Sequence, residues 1–291
     1  MATAKRFSKE WFEALRTERF CGEVVDRALV RRLPTHPWGD SSLHPALRAF
    51  FDTYGEELPL VPERYFFPTT QVTHFVLVRE GLTARIASTF DGQPGAGAMA
   101  LSPPNRLACG NLNWTTHRPA IGRYMTLTHA RLSSISHNQF DEVISDAPKE
   151  ILRKLFTQFE LNNLSDRMGF ALLALMPAIV RFQALFLSWA VYFGKIENIP
   201  GEGDFVTMPA PGRRWHIEQV ICSSSVTLDK IVAELAHTHG YERNGEFVRF
   251  RASMLQTAHD WMRHGDGDGV LYKRPEHVED LLYGAQSGEY D

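Results

Sequence analysis

Residues 214–250 read RWHIEQVICSSSVTLDKIVAELAHTHGYERNGEFVRF. Ile217 and Val220 recur at helical spacing, and Ser223, Ser224 and Ser225 then supply a turn and an N-cap. Leu228, Ile231, Val232 and Leu235 form the core face of a second helix. Gly240 follows, and Asn244-Gly245 inside YERNGEFVRF spells a tight β-hairpin. Helix, short turn, helix and two-stranded wing is the layout of a winged helix-turn-helix. Its second helix has the dimensions of the DNA major groove, and its hairpin reaches the flanking phosphates.

Upstream, PGEGDFVTMPAPG (200–212) is a Pro/Gly loop with room for a short hairpin. The run MGFALLALMPAIVRFQALFLSWAVYFG (168–194) is long enough to cross a bilayer. Pro177 interrupts it, however, and Arg181 and Gln183 lie inside it, so two consecutive buried helices are expected and no membrane partner. Ahead of it a long helix is predicted, capped by Ser145 or Asp146, with Pro148 in its first turn. Ile151, Leu155 and Phe159 make one apolar row, and Leu161, Leu164, Met168, Leu172 and Leu175 continue a stripe. That stripe either pairs with a twin helix as a coiled coil or packs on the chain's own β domain, and the pattern leaves both open.

Between residues 64 and 136 the texture is β. HFVLVREGLTARIAST (74–89) holds two β-rich runs joined at Arg79-Glu80-Gly81, and Asp91-Gly92 offers another turn. YMTLTHARLSSI (124–135) alternates Met125 and Leu127, then Ala130 and Leu132, as a half-buried strand does. Short strands separated by turns predict a barrel or roll. HPALRAFFDT (44–53) reads as a short amphipathic helix, residues 8–31 have helical texture, and LPTHPWGDSS (33–42) breaks it. The fold class expected is α+β, in five parts. These are an N-terminal extension (1–43), a β-roll domain of effector type (44–147), a dimerisation helix (148–177), a winged helix-turn-helix (178–250) and a C-terminal extension (251–291). A further helix is expected at 251–264 before a polar tail.

Composition limits the function classes. The chain has 291 residues, 44% hydrophobic and 22% charged, which excludes wholesale disorder. Its first twenty residues lack the apolar core of a signal peptide. Cys21, Cys109 and Cys222 are too few and too scattered for a disulfide framework or a four-cysteine iron–sulfur site, and fit a reducing cytoplasm. Net charge is −3, so any claim about DNA rests on local features. Residues 200–251 carry six Arg and Lys against seven Asp and Glu, which forces the cations of a DNA-binding surface onto one face. GAGAMA (95–100) matches a dinucleotide-binding pattern in spelling but follows a turn rather than a strand. His237 and His239 fall at the end of the second helix and are read as solvated or packed. With no nucleophile elbow, zinc-protease motif or P-loop, neither an enzyme nor a metal site is expected.

The pattern Arg214-x-x-Ile217-x-Gln219, then Ser224-x-x-Thr227-x-x-Lys230-Ile231-x-x-x-Leu235, resembles the DNA-binding signature of the Crp/Fnr regulators. The resemblance runs through IVRFQALFLSWA (179–190) and the long helix to VLVREGLTARI (76–86), which is similar to the family's first β-roll hairpin, and covers roughly 44–250. It implies a cytoplasmic homodimer that binds palindromic double-stranded DNA, with a small-molecule effector and RNA polymerase as further partners. It implies that Ser225, Val226 and Lys230 face base edges, that Arg213, Arg214, Ser224 and Thr227 contact phosphate, and that Asn244 belongs to the wing. Many members carry arginine and glutamate where this chain has Lys230 and Val226, so the operator implied is not the usual one.

The same resemblance places the effector-binding residues at Gly110, Asn111 and Leu112, at Arg118 or its rival Arg123, and at Asp166 and Arg167 on the long helix. Cyclic-nucleotide-binding relatives have a glutamate at the place of Asn111 and a small hydroxyl residue at Pro119, which also lacks an N–H. An effector other than cyclic AMP, or none, is therefore implied. Some relatives bind haem near the place of Cys109, His117 and His129, but a lone cysteine is more often buried and inert, and no cofactor is expected. A second function stays open: an adaptor that keeps the fold and acts through protein contacts without specific DNA binding. A basic stripe on the recognition face separates the two.

Overall fold

The computed structural model describes residues 36–39, 43–69, 71–88, 94–109, 113–120 and 122–265. Helix α1 (Pro45–Tyr54) buries Leu47, Phe50 and Phe51. Strands β1 (Glu56–Leu60), β2 (His74–Glu80), β3 (Thr83–Ser88), β4 (Pro94–Ser102), β5 (Leu107–Cys109), β6 (Gly122–Thr126) and β7 (Ala130–Ser136) follow. They form two antiparallel sheets, in the orders β1-β7-β2-β5 and β4-β3-β6. The run 74–89 is therefore not one hairpin, because β2 and β3 lie in different sheets. YMTLTHARLSSI is likewise two strands, β6 and β7, one in each sheet. Both segments change sheet at the same corner. Leu82 N–H donates to Thr128 Oγ1 at 2.9 Å, and Leu127 N–H donates to the Leu82 carbonyl at 2.8 Å. Gly81 turns there with φ +84°, where a Cβ would collide with the His129 carbonyl. The corner rests on pairing between residues more than forty positions apart, and local alternation carries no trace of it.

Helix α2 (His137–Ser145) is capped by Ser136, whose Oγ accepts from Gln139 N–H at 3.2 Å. Helix α3 (Lys149–Leu175) has Pro148 at its N-cap and no side-chain cap. Ser145 Oγ instead donates to the Glu142 carbonyl at 2.9 Å, and Asp146 closes α2, so the expected capping of α3 by either residue does not occur. Pro177 separates α3 from α4 (Ala178–Phe193), and among the described residues no helix is long and apolar enough to cross a membrane.

The inward seam of α3 is Ile151, Leu155, Gln158, Asn162, Ser165, Gly169 and Leu172. The predicted stripe thus divides. Leu172 is fully buried in the chain's own core and Met168 packs against it, while Leu164 is 38% and Leu175 71% exposed. Phe156 (59%) and Phe170 (55%), outside that stripe, are exposed as well. Residues 36–39, within the N-terminal extension, pack on the polar part of the seam. The Trp38 indole lies against Gly169, where a Cβ would come within 2.7 Å of its nitrogen. Ser165 Oγ donates to the carbonyls of His36 and Gly39, and Leu101 N–H donates to the Trp38 carbonyl at 2.9 Å.

Strands β8 (Lys195–Ile199) and β9 (Gly203–Pro209) form a hairpin that begins upstream of the 200–212 loop in which one was expected. Helices α5 (Arg214–Val220) and α6 (Ser225–His239) follow, then β10 (Glu242–Asn244) and β11 (Phe247–Arg251). The wing is four-stranded, in the order β10-β11-β9-β8, because β11 pairs with β9 as well as with β10. Ile217, Val220, Leu228, Ile231 and Leu235 meet Phe182 and Phe186 of α4 in one core. The predicted last helix is a 3-10 turn (Ala252–Leu255) leading into α7 (Gln256–Gly265), which buries Ala258 and Met262.

Candidate DNA-binding interface and effector residues

The local chemistry of the serines fixes the start of α6. Ser224 is its N-cap, accepting from Thr227 N–H at 3.2 Å, with the two hydroxyls 2.9 Å apart. Gly240 ends it in the left-handed region, at φ +61°. The turn from α5 is held by Ser223 N–H on the Glu218 carbonyl at 2.9 Å, with Cys222 at φ +50°. The core row Leu228, Ile231 and Leu235 faces inward. Val226, Lys230, Ala233 and His237, spaced along one side of α6, are therefore all exposed. Val226 is 63% exposed in the first turn, and Ser225 is exposed beside it.

The cations divide by what already holds them. Arg214 is clasped by Asp229 at 2.6 Å, Glu218 at 3.1 Å and the Ser225 carbonyl at 2.9 Å, bonds that raise its pKa further and tie α5 to α6. Its expected role at phosphate competes with that clasp. Arg249 stacks 4.1 Å over the Phe205 ring, with Arg251 at 5.8 Å. Arg243 donates to the Gly212 and Gly245 carbonyls at 3.2 Å each, while Asn244 is exposed at the tip of the wing. Lys230 is exposed and, among the described residues, has no ion-pair partner. Arg213, the N-cap of α5, is exposed as well. Its N–H donates to His216 Nδ1 at 3.0 Å. Burial and then the Arg213 charge push His216 down to about 4, so that ring is neutral. The recognition face is a mixed apolar and polar row with one lysine, not a basic stripe, so the feature expected to separate a DNA reader from an adaptor is not met on this helix.

Of the effector-binding residues that the resemblance implies, Arg118, Arg123, Asp166 and Arg167 are among the described residues. Gly110, Asn111 and Leu112 lie outside the described residues. Arg118 is exposed on an irregular stretch. Arg123, half-buried on β6, donates to the Phe67 carbonyl at 2.9 Å and lies 4.5 Å over the Tyr65 ring. Asp166 of α3 forms its ion pair with Arg85 of β3. Arg85 shares a sheet face with Tyr124, and Arg123 shares the opposite one with Ile86. Arg167 is exposed on α3. Cys109 is buried, and burial pushes its thiol well above the usual range. Among the described residues no three His, Cys, Asp or Glu side chains cluster as a metal site.

No protein-family model matches the chain, and no curated protein matches it. Solved structures do. CooA from Carboxydothermus hydrogenoformans, in a mutant form, is similar at 14% identity and a TM-score of 0.56, over 77% of this chain and 96% of its own. FixK2 from Bradyrhizobium japonicum is similar at 14% identity and a TM-score of 0.55, over 71% and 96%. TTHA1359 from Thermus thermophilus, described as a transcriptional regulator of the CRP/FNR family, is similar at 16% identity and a TM-score of 0.50, over 72% and 98%. With its two-sheet roll, long central helix and winged helix-turn-helix in that order, this chain has the fold of the Crp/Fnr regulators.

Proposed function

We propose that this protein is a homodimeric transcription regulator that reads two-fold-symmetric DNA through α6. The observation that carries the reading is the solvent-facing row Val226, Lys230, Ala233 and His237 on a serine-capped helix beside a wing. A helix so presented fits the major groove, where lysine donates to guanine O6 and N7 and small apolar groups meet the thymine methyl. Ser224 and Thr227 at the N-terminus of α6, with Arg213 at that of α5, supply phosphate contacts. The exposed apolar residues of α3 support a second copy as partner. An exposed free thiol at Cys222 suits work in a reducing cytoplasm. RNA polymerase is the further partner of such a regulator.

Any effector is a small molecule other than cyclic AMP. Supporting this, Asp166 is engaged by Arg85, and Trp38 occupies the space beside Gly169 on the same helix. Selection of bound duplexes from random DNA tests the function. The expected outcome is a palindrome with half-sites about one helical turn apart. Enrichment of no palindrome at low salt overturns the regulator in favour of an adaptor acting through protein contacts.

A further inference from the structure

A cavity of about 340 Å3 lies where the roll meets the DNA-binding domain, within the size range of small-molecule sites. One wall is the corner at which both roll segments change sheet, with Leu82 and Leu127. The opposite wall is Trp189 and Phe193 of α4. Arg213 and Arg243 line it from the start of α5 and from the wing, the latter with its guanidinium also on the Gly212 and Gly245 carbonyls, against the single carboxylate residue Glu246. His216 also lines it and is neutral, for the reason given above, so the charge balance there is positive. A second observation is independent of the charges. Trp189 is buried, and its indole N–H has no hydrogen-bond partner among the described residues. A buried donor left unpaired is costly, and a ligand acceptor within its reach would relieve that cost.

We propose that this cavity is a binding site for a small aromatic carboxylate. The flat apolar walls suit an aromatic body, and guanidinium forks suit a carboxylate better than any neutral group. Such a ligand touches the roll corner, α4, the first turn of α5 and the wing together. It thereby fixes the reading helix relative to the roll, and in a dimer that orientation decides whether two reading helices match one half-site spacing. This consequence rests on the DNA-binding reading, whereas occupancy of the cavity does not.

The test uses the full-length protein and calorimetric titration with 1-naphthylacetate and, as its uncharged counterpart, 1-naphthylacetamide. The carboxylate is expected to bind about tenfold more tightly than the amide. Arg243→Gln removes that preference, Trp189→Phe weakens the carboxylate severalfold, and Leu82→Trp, which fills the cavity, abolishes binding. Should Leu82→Trp fail to fold, the two milder variants still decide. Equal binding of acid and amide, no binding of either at millimolar concentration, or wild-type affinity in Arg243→Gln overturns the site. Binding of the carboxylate by a protein that selects no DNA sequence sinks the regulator reading and leaves the cavity standing. Sequence selection without carboxylate binding does the reverse.

Discussion

Val226 and Lys230 are neighbours on the exposed side of α6, one turn apart, and their chemistry assigns them different bases. A valine in the first turn of a reading helix has nothing to offer a base edge except contact with a methyl group, which thymine alone displays in the major groove. Replacing that thymine by uracil, in the operator that selection defines, removes one methyl. Wild-type affinity should fall by about 0.8 kcal/mol, roughly fourfold, for a fully buried methyl. Val226→Ala should bind the two duplexes alike. Equal affinity of the wild type for thymine and uracil duplexes at every operator position, in gel-shift titrations, refutes this assignment. The two adjacent arginines separate in the same way. Arg213→Ala, which removes an exposed cation, should lower the slope of log affinity against log salt by about one unit. Arg214→Ala should leave that slope near the wild-type value and lower the melting temperature slightly, because its guanidinium is already engaged by Asp229 and Glu218. A salt slope that falls as far in Arg214→Ala as in Arg213→Ala means that the clasp opens on DNA.

α3 shows what an element can and cannot announce. Its inward seam is polar in the middle, where Gln158 donates to Asn162 at 3.2 Å and Ser165 receives the backbone of 36–39. Several of its apolar residues face outward: Phe156, Leu164, Phe170 and Leu175. Exposed apolar side chains on a single chain mark a place for a partner, and a second α3 is the partner that brings two reading helices onto one face of DNA. Leu164→Asp combined with Phe170→Asp should give a folded monomer, since neither side chain supports the chain's own core. Light scattering at tens of micromolar should report a dimer for the wild type and a monomer for the double variant; a wild-type monomer removes the dimer from the proposal. The helix itself was legible from its period, but not its direction, because the apolar stripe divides between the chain's own core, at Met168 and Leu172, and solvent, at Leu164 and Leu175, and the seam is completed by a segment far away in sequence. The helix-turn-helix was legible throughout, its caps and core row being local. The roll corner at Gly81-Leu82 and Leu127-Thr128 was not, and neither was the Arg85–Asp166 pair, since both depend on which distant strands meet.

Across the whole molecule, residues 36–39 join elements otherwise distant in sequence: β4 through the Trp38 carbonyl, α3 through Ser165 and Gly169, and α4 through His36, whose ring meets Tyr192 edge-on at 5.8 Å. The Arg106 guanidinium lies 3.8 Å over the other partner of that contact, the Tyr192 ring. Burial, and then the Arg106 charge, push His36 down to about 4. The folded protein therefore holds this ring neutral through a range in which the unfolded chain, with an ordinary histidine near 6.5, takes up a proton. Where the unfolded state binds more protons, stability rises with pH. The contribution of His36 is thus complete above about pH 6.5 and is lost as pH falls toward 4, at a limiting slope of about 1.4 kcal/mol per pH unit. His216, lowered in the same direction, adds to the loss over the same window. In His36→Phe an aromatic edge still meets Tyr192 but nothing titrates. The variant should therefore lose less stability than the wild type between about pH 7 and pH 5, measured as the fall in urea midpoint. A variant that loses as much as the wild type places the acid sensitivity elsewhere, and leaves the 36–39 segment as a purely apolar and backbone-mediated tie between α3 and α4.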